Sequence, residues 1–203
     1  MNQDLIQYIE NKILLKYRDG AGHSLEHIEY VINRSLKFAE QAPEADKNMC
    51  YVIAAYHDIG RLIDDHYHEK ISAAFLKMDE NLQKFFSVSQ IETMAEAVED
   101  HRASSKHEPR SIYGKIVSSA DRSTSSDAII KRSVETHLHS KSDADYYEAI
   151  EEARQHVLAK QGKDGYARQK MFFDDPDFIK ACDEVAAIAA DFITFKQKYE
   201  SLK

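Results

Sequence analysis

The sequence predicts an all-α fold, a single-domain helical bundle over residues 1–203. Two features lead there: only six Gly and three Pro interrupt 203 residues, and apolar residues recur at helical spacing in nearly every segment. In addition, no stretch alternates convincingly enough to read as a strand, and no internal repeat or low-complexity segment breaks the pattern. A chain of this length can bury one sizeable core, and two small domains are the alternative.

Taken in order, Leu5, Ile6, Ile9, Ile13 and Leu14 form the first stripe, closed by Asp19-Gly20. Ser24 is placed to cap a second helix carrying Leu25, Ile28, Ile32 and Leu36 and closing near Pro43. The third, Met49 to Tyr56, is apolar all the way round, which marks a buried helix. Gly60 suits the position just past its end. Ile71, Ala74, Phe75 and Met78 make the face of a fourth. Ser89-Gln90-Ile91-Glu92 reads as a capping box ahead of Met94, Ala95 and Val98. The polar run 103–110 is a loop, and Ile112, Ile116, Val117 and Ala120 mark the next helix.

Beyond Ser123-Thr124-Ser125-Ser126 three more helices are expected, at about 127–138, about 143–160, and one long helix from Pro176 to the C-terminus. The last carries Phe178, Cys182, Val185, Ile188, Phe192 and Phe195 and is expected to pack back on the rest. The segment from Gln161 to Pro176, with Gly162 and Gly165, reads as a mobile connection.

A net charge of −8 argues against a nucleic-acid polymer as partner, since such binders usually show a basic face. It leaves room for a small phosphorylated substrate held by a local cluster of Arg or Lys. Cys50 and Cys182 form no CxxC pair and sit in apolar helical contexts, which fits buried free thiols in a reducing compartment. No apolar run approaches the ~18 residues that span a bilayer. The acidic, amphipathic N-terminus is not a signal peptide. The expectation is a cytoplasmic protein with no membrane partner; its oligomeric state is not legible.

The buried third helix ends in His57-Asp58, where a charged pair in an apolar interior is costly unless paired or bound to metal. Other polar residues fall on apolar faces in the same way: His27 beside Ile28, His68 three before Ile71, His101 three after Val98, and Asp121 four after Val117. Imidazoles and carboxylates turned inward from several helices are what a bundle-core metal site requires. Each residue also has a structural reading. His57 suits its helix's C-terminal dipole, Asp58 a turn, and Asp121 a pair with Arg122 or a cap. The face argument is not selective either, because His137 meets it too. His23 is placed to support His27 or to be solvated at the helix start, and His66, His107, His139 and His156 fall in loops or on polar faces.

His27-Ile28-Glu29-Tyr30-Val31, Tyr56-His57-Asp58-Ile59-Gly60 and Ser119-Ala120-Asp121-Arg122, in that order and at those separations, resemble the H…HD…D elements of the HD-domain superfamily. The resemblance covers roughly His23 to Ser126. It implies an all-α HD domain with its metal-site core at about 23–126 and C-terminal helices at about 127–203 packed on it. It further implies a divalent cation (Mn, Fe, Zn, Mg, Ni or Co) held by His27, His57, Asp58 and Asp121. His68-Glu69-Lys70-Ile71-Ser72-Ala73 and His101-Arg102 are similar to elements that supply a second metal or line the site in some branches. Members are mostly phosphohydrolases acting on nucleotides or nucleotide-like phosphates.

This chain departs from several branches. Arg61 and Leu62 stand where guanosine-tetraphosphate hydrolases carry acids, no GYP element follows His101, and Ser123-Thr124 replaces a common Leu-Asp.

The chemistry expected is attack of a metal-activated water on phosphorus, with Asp58 essential and one coordination position left open. Arg102, Arg61 and Lys70 are the candidates to hold the phosphate, with Lys115 and Arg122 in competition. Asp64 or Asp65 is the candidate leaving-group acid. The other readings are a non-catalytic metal-containing HD module that binds nucleotide or a protein partner, and a helical structural protein whose inward polar residues are satisfied internally.

Overall fold

The computed structural model of the chain describes residues 1–17, 24–105, 107–140 and 146–203. His23, the Asp19-Gly20 turn and the start of the helix expected from 143 lie outside them. Among the described residues all regular structure is helical. Contacts gather the chain into two compact units, residues 1–121 and 122–203.

The first unit holds α1 (Gln3–Lys12), α2 (Leu25–Ala39), α3 (Lys47–Tyr56), α4 (His68–Met78), α5 (Val88–Glu99) and α6 (Ile112–Ala120). Helix α3 is its centre. Every residue from Met49 to Tyr56 is buried, and α2, α4, α5 and α6 all pack on it. The all-round apolar pattern thus becomes the axis of the unit. Asp46 caps α3 by accepting from the Asn48 amide at 2.7 Å. Ser24 stands at the N-cap of α2 without a side-chain cap bond.

Two local expectations shift. The capping box of α5 is Ser87 with Gln90, two residues earlier than Ser89 with Glu92. Ser87 and Gln90 satisfy the same spacing rule, and starting there adds helical turn, while Ser89 Oγ joins Ser87 Oγ at 3.1 Å. Helix α4 is rotated from the expected face. Its buried side is His68, Ser72, Ala73 and Leu76, whereas Phe75 and Met78 are exposed. The polar residues His68 and Ser72 decide the orientation, and apolar side chains are left in solvent.

Gly60 explains that rotation. It lies inside a 3-10 turn, Ile59–Leu62, rather than past the end of α3. A Cβ there would come within 2.3 Å of His68 O and 2.8 Å of Ser72 N. Ser72 Oγ meanwhile accepts from Gly60 N at 2.9 Å. Glycine therefore lets the turn after the His-Asp pair touch the first turn of α4.

The second unit holds α7 (Ser126–Ser140), α8 (Tyr146–Gln161), α9 (Tyr166–Gln169), α10 (Pro176–Ala189) and α11 (Phe192–Glu200). Ile130, Val134, Ile150, Val157, Val185 and Phe195 form its core. The long helix expected from Pro176 is two helices, because Asp191 accepts from the Thr194 amide at 2.8 Å and starts a new one. The connection from Gln161 to Pro176 carries α9 and is tied down. Arg122, itself buried, donates to Ala167 O at 2.7 Å and Lys170 O at 2.6 Å and lies over the Phe178 ring. Among the described residues no helix is long and apolar enough to cross a membrane.

Gly60→Ala forces backbone apart where no side chain can yield. It should cost about 2 kcal/mol or more, seen as a lower denaturation midpoint, and should separate His68 from Asp58, seen as weaker metal retention.

Candidate metal centre

Six side chains predicted from the sequence meet in the first unit, and all of them stand at or near helix ends. His27 is in the first turn of α2, His57 caps the C-terminus of α3, and Asp58 opens the 3-10 turn. His68 begins α4, His101 follows the C-cap of α5, and Asp121 caps the C-terminus of α6. They form two triads: His27, His57 and Asp121, and Asp58, His68 and His101, with the ligand atoms of each triad all within 4.8 Å of one another. Asp58 serves both. Its Oδ2 lies 3.4 Å from His57 Nε2 and 3.7 Å from His27 Nε2, and its Oδ1 lies 3.4 Å from His68 Nε2 and 3.7 Å from His101 Nε2.

Three imidazoles share one orienting device. His57 Nδ1 donates to Ala54 O at 2.7 Å, His68 Nδ1 to Asp65 O at 2.8 Å, and His101 Nδ1 to Val98 O at 2.6 Å. A carbonyl only accepts, so Nδ1 carries a proton and Nε2 is the atom turned inward. His68 Nε2 and His101 Nε2 face each other at 3.2 Å. Burial, with the nearby Arg61 charge, lowers the proton affinity of His68. Burial and His57 push His101 down to about 4. Both rings are neutral at pH 7, so no proton lies between the two nitrogens, and Asp58 Oδ1 adds a third donor. Three lone-pair donors around one point fit a cation.

The other triad is differently charged. Burial works against a proton on His57, yet the Asp58 carboxylate, helped by Asp121 and the Ala54 carbonyl, holds its pKa up to about 9. His57 Nε2 is buried and has no hydrogen-bond partner among the described residues. Burial would raise Asp121, but its bond to His27 at 3.2 Å and the His57 charge hold it well below the usual carboxylate range. The donor set of imidazoles and carboxylates suits Mn, Fe, Zn and related divalent ions without choosing among them. The exposed edge is on this side: the His27 side chain is 12% and Asp121 26% accessible, against 1% or less for the other four.

A profile of the HD domain matches residues 24–125, half of the chain and all of the segment bearing the six residues. The chain belongs to the HD-domain family. It is also similar in fold to the crystal structure, at 1.45 Å, of a predicted HD superfamily hydrolase from an uncultured Thermotogales bacterium. The match has a TM-score of 0.51 and 20% identity, covering 78% of this chain and 94% of the other. No curated protein matches the chain.

Around the HD doublet the remaining candidates separate. Arg102 and Lys70 line one recess of about 300 Å³, with Glu69, Glu99, Ser104, Ser105 and His107. Arg102 Nη1 donates to Glu69 Oε2 at 3.3 Å and His66 O at 3.4 Å. His107, read from the sequence as a residue of a loop or polar face, lines this recess. Arg61 points elsewhere: its Nε donates to Asp58 Oδ1 at 2.8 Å and its Nη1 to Asp65. Asp64 Oδ1 accepts from the amides of His66 and Tyr67, shaping the turn before α4. Asp64 and Asp65 thus both have hydrogen-bond partners within the loop. Lys115 lies 4.0 Å from Glu108, and Arg122 holds the carbonyls named above. His137, in the second unit, donates from Nδ1 to Ser133 O.

Sequence reasoning missed the supports. Buried Arg34 donates to Ala120 O and Ser119 O at 3.2 and 3.3 Å, tying down the end of α6 that bears Asp121. Its signal was a cation seven residues after His27, between Val31 and Phe38 on an apolar face. Tyr17 donates to Ala55 O at 2.8 Å at the end of α3. Asp100, 1% exposed, is clasped by Arg110 through its amide at 2.7 Å and its guanidinium at 3.0 Å, which fixes the chain beside His101.

Because His57 must lose a proton to become a ligand, metal affinity should rise with pH, about tenfold per unit toward pH 9, and level off above it. Calorimetry at pH 7 in buffers of different ionisation enthalpy should count about one proton released per chain. Uptake without proton release would contradict this charge state.

Proposed function

We propose that the protein is a metal-dependent phosphohydrolase acting on a small phosphorylated substrate of the nucleotide class. The observation that carries this reading is the pair of adjacent triads, with Asp58 of one also facing His27 and His57 of the other, four imidazoles and two carboxylates gathered inside a helical unit. When bound, a divalent cation supplies activation of a water and neutralisation of charge on the phosphoryl oxygens. The chain's own residues do the rest. His27, His57, Asp58 and Asp121 hold the first ion, and Asp58, His68 and His101 offer donors for a second.

The accessible edge at His27 and Asp121 admits substrate and water. Arg102 and Lys70, which line one recess, are the candidates to bind phosphate oxygens, and Arg102 pairs there with Glu69. With Asp64 and Asp65 engaged in the turn, protonation of the leaving oxygen falls to solvent at the open edge. The nucleotide class follows from the family resemblance.

The test is release of phosphate and pyrophosphate from a nucleotide panel with Mn²⁺, wild type beside Asp58→Ala. Wild type should turn over, and Asp58→Ala should lose more than about 100-fold, the upper range for residues that merely support a ligand. Turnover retained in Asp58→Ala would sink the mechanism. Silence from metal-loaded wild type across the panel would favour a non-catalytic module that binds nucleotide or a protein partner.

A further inference from the structure

Arg61 stands where a second cation would bring its charge. It leaves the 3-10 turn, and its Nε donates at 2.8 Å to Asp58 Oδ1, the oxygen that faces His68 Nε2 at 3.4 Å and His101 Nε2 at 3.7 Å. The other oxygen, Oδ2, faces His57 and His27. The guanidinium therefore engages one half of the shared carboxylate. The side chain is not sealed in: it is 24% exposed, and its Nη1 is held from outside by Asp65, 80% exposed.

A guanidinium and a dication drawn to the same carboxylate oxygen repel each other, strongly where water is scarce. That repulsion falls on the half formed by Asp58 Oδ1, His68 and His101. We propose that Arg61 is a built-in competitor for the second cation, so that the centre fills in two unequal steps. The first is at His27, His57, Asp58 Oδ2 and Asp121; the second, weaker, is at Asp58 Oδ1, His68 and His101. The inference rests on the two-triad reading above. A plain orienting role for Arg61, holding Asp58 for both halves, has the opposite consequence: its loss would weaken both steps.

The experiment is a Mn²⁺ titration of the metal-stripped full chain, followed by calorimetry and by the electron paramagnetic resonance of free Mn²⁺. Wild type is compared with Arg61→Gln, Arg61→Lys and His68→Ala, with His101→Ala as a second test of the same half and thermal melting to confirm folding. Arg61→Gln, by removing the repulsion, should tighten the second step by about 10-fold or more and leave the first within about threefold. Arg61→Lys, keeping the charge, should keep the wild-type spacing, and His68→Ala or His101→Ala should remove the second step alone. A single ion in wild type and two in Arg61→Gln would support the proposal equally.

A second step unchanged or weakened in Arg61→Gln, or tightened as much in Arg61→Lys, overturns the proposal and leaves the metal centre standing. One ion in wild type and in Arg61→Gln overturns the proposal together with the second half of the site. No Mn²⁺ bound by any form overturns the metal centre itself.

Discussion

Imidazoles and carboxylates are tolerated inside an apolar core only where their lone pairs and charges are met, and much of the first unit is arranged around meeting six of them at one place. His57, Asp58, His68 and His101 are almost fully buried, so water cannot satisfy them freely. Hydrogen bonds to carbonyls satisfy Nδ1 of three rings and leave Nε2 of His68 and of His101 facing each other, with that of His57 on the Asp58 carboxylate. A cation resolves that arrangement, and the same cation is what a hydrolytic centre would use. Stability and chemistry therefore make the same demand on the same atoms.

Helix ends are the natural place for such a cluster. The last turn of a helix leaves carbonyls without partners, and an imidazole three residues on can take one of them. His57 with Ala54 and His101 with Val98 do this at the ends of α3 and α5. The bond that completes the helix also fixes the ring's tautomer and direction. Arg34 and Tyr17 perform the completing half of that task at Ala120 and Ala55 without entering the cluster. Beside His101, the Asp100–Arg110 clasp adds rigidity where the chain leaves the helix.

Bringing α4 into the site has a visible cost. Close contact at Gly60 and the bond from Gly60 to Ser72 turn His68 inward, and Phe75 and Met78 are left in solvent. Burial of polar donors at the centre outranks burial of apolar carbon on this one helix. That ordering is physically reasonable only if the centre gains a strong interaction in return, which agrees with a cation among the donors.

The sequence by itself determined the helical class and the buried third helix, and it put six polar residues on apolar faces together with His137, which met the same test and lies in the second unit. Those properties are local: breaker content, apolar periodicity and polar residues on apolar faces depend on spacing along one helix. It also held the HD-type order of motifs. The tertiary structure alone decided which face of α4 turns inward, since the Ile71–Phe75–Met78 stripe is as periodic as a core face and only contact across the chain overrules it. It alone decided the capping register at Ser87, the break at Asp191, and the separation of Arg102 and Lys70 in the recess from Arg61 on Asp58. Two arginines equally near a motif in sequence are alike until folding places one beside a carboxylate oxygen and the other beside an open recess. Which charges meet is a property of distances between helices, and those distances are not written in the spacing along any one of them.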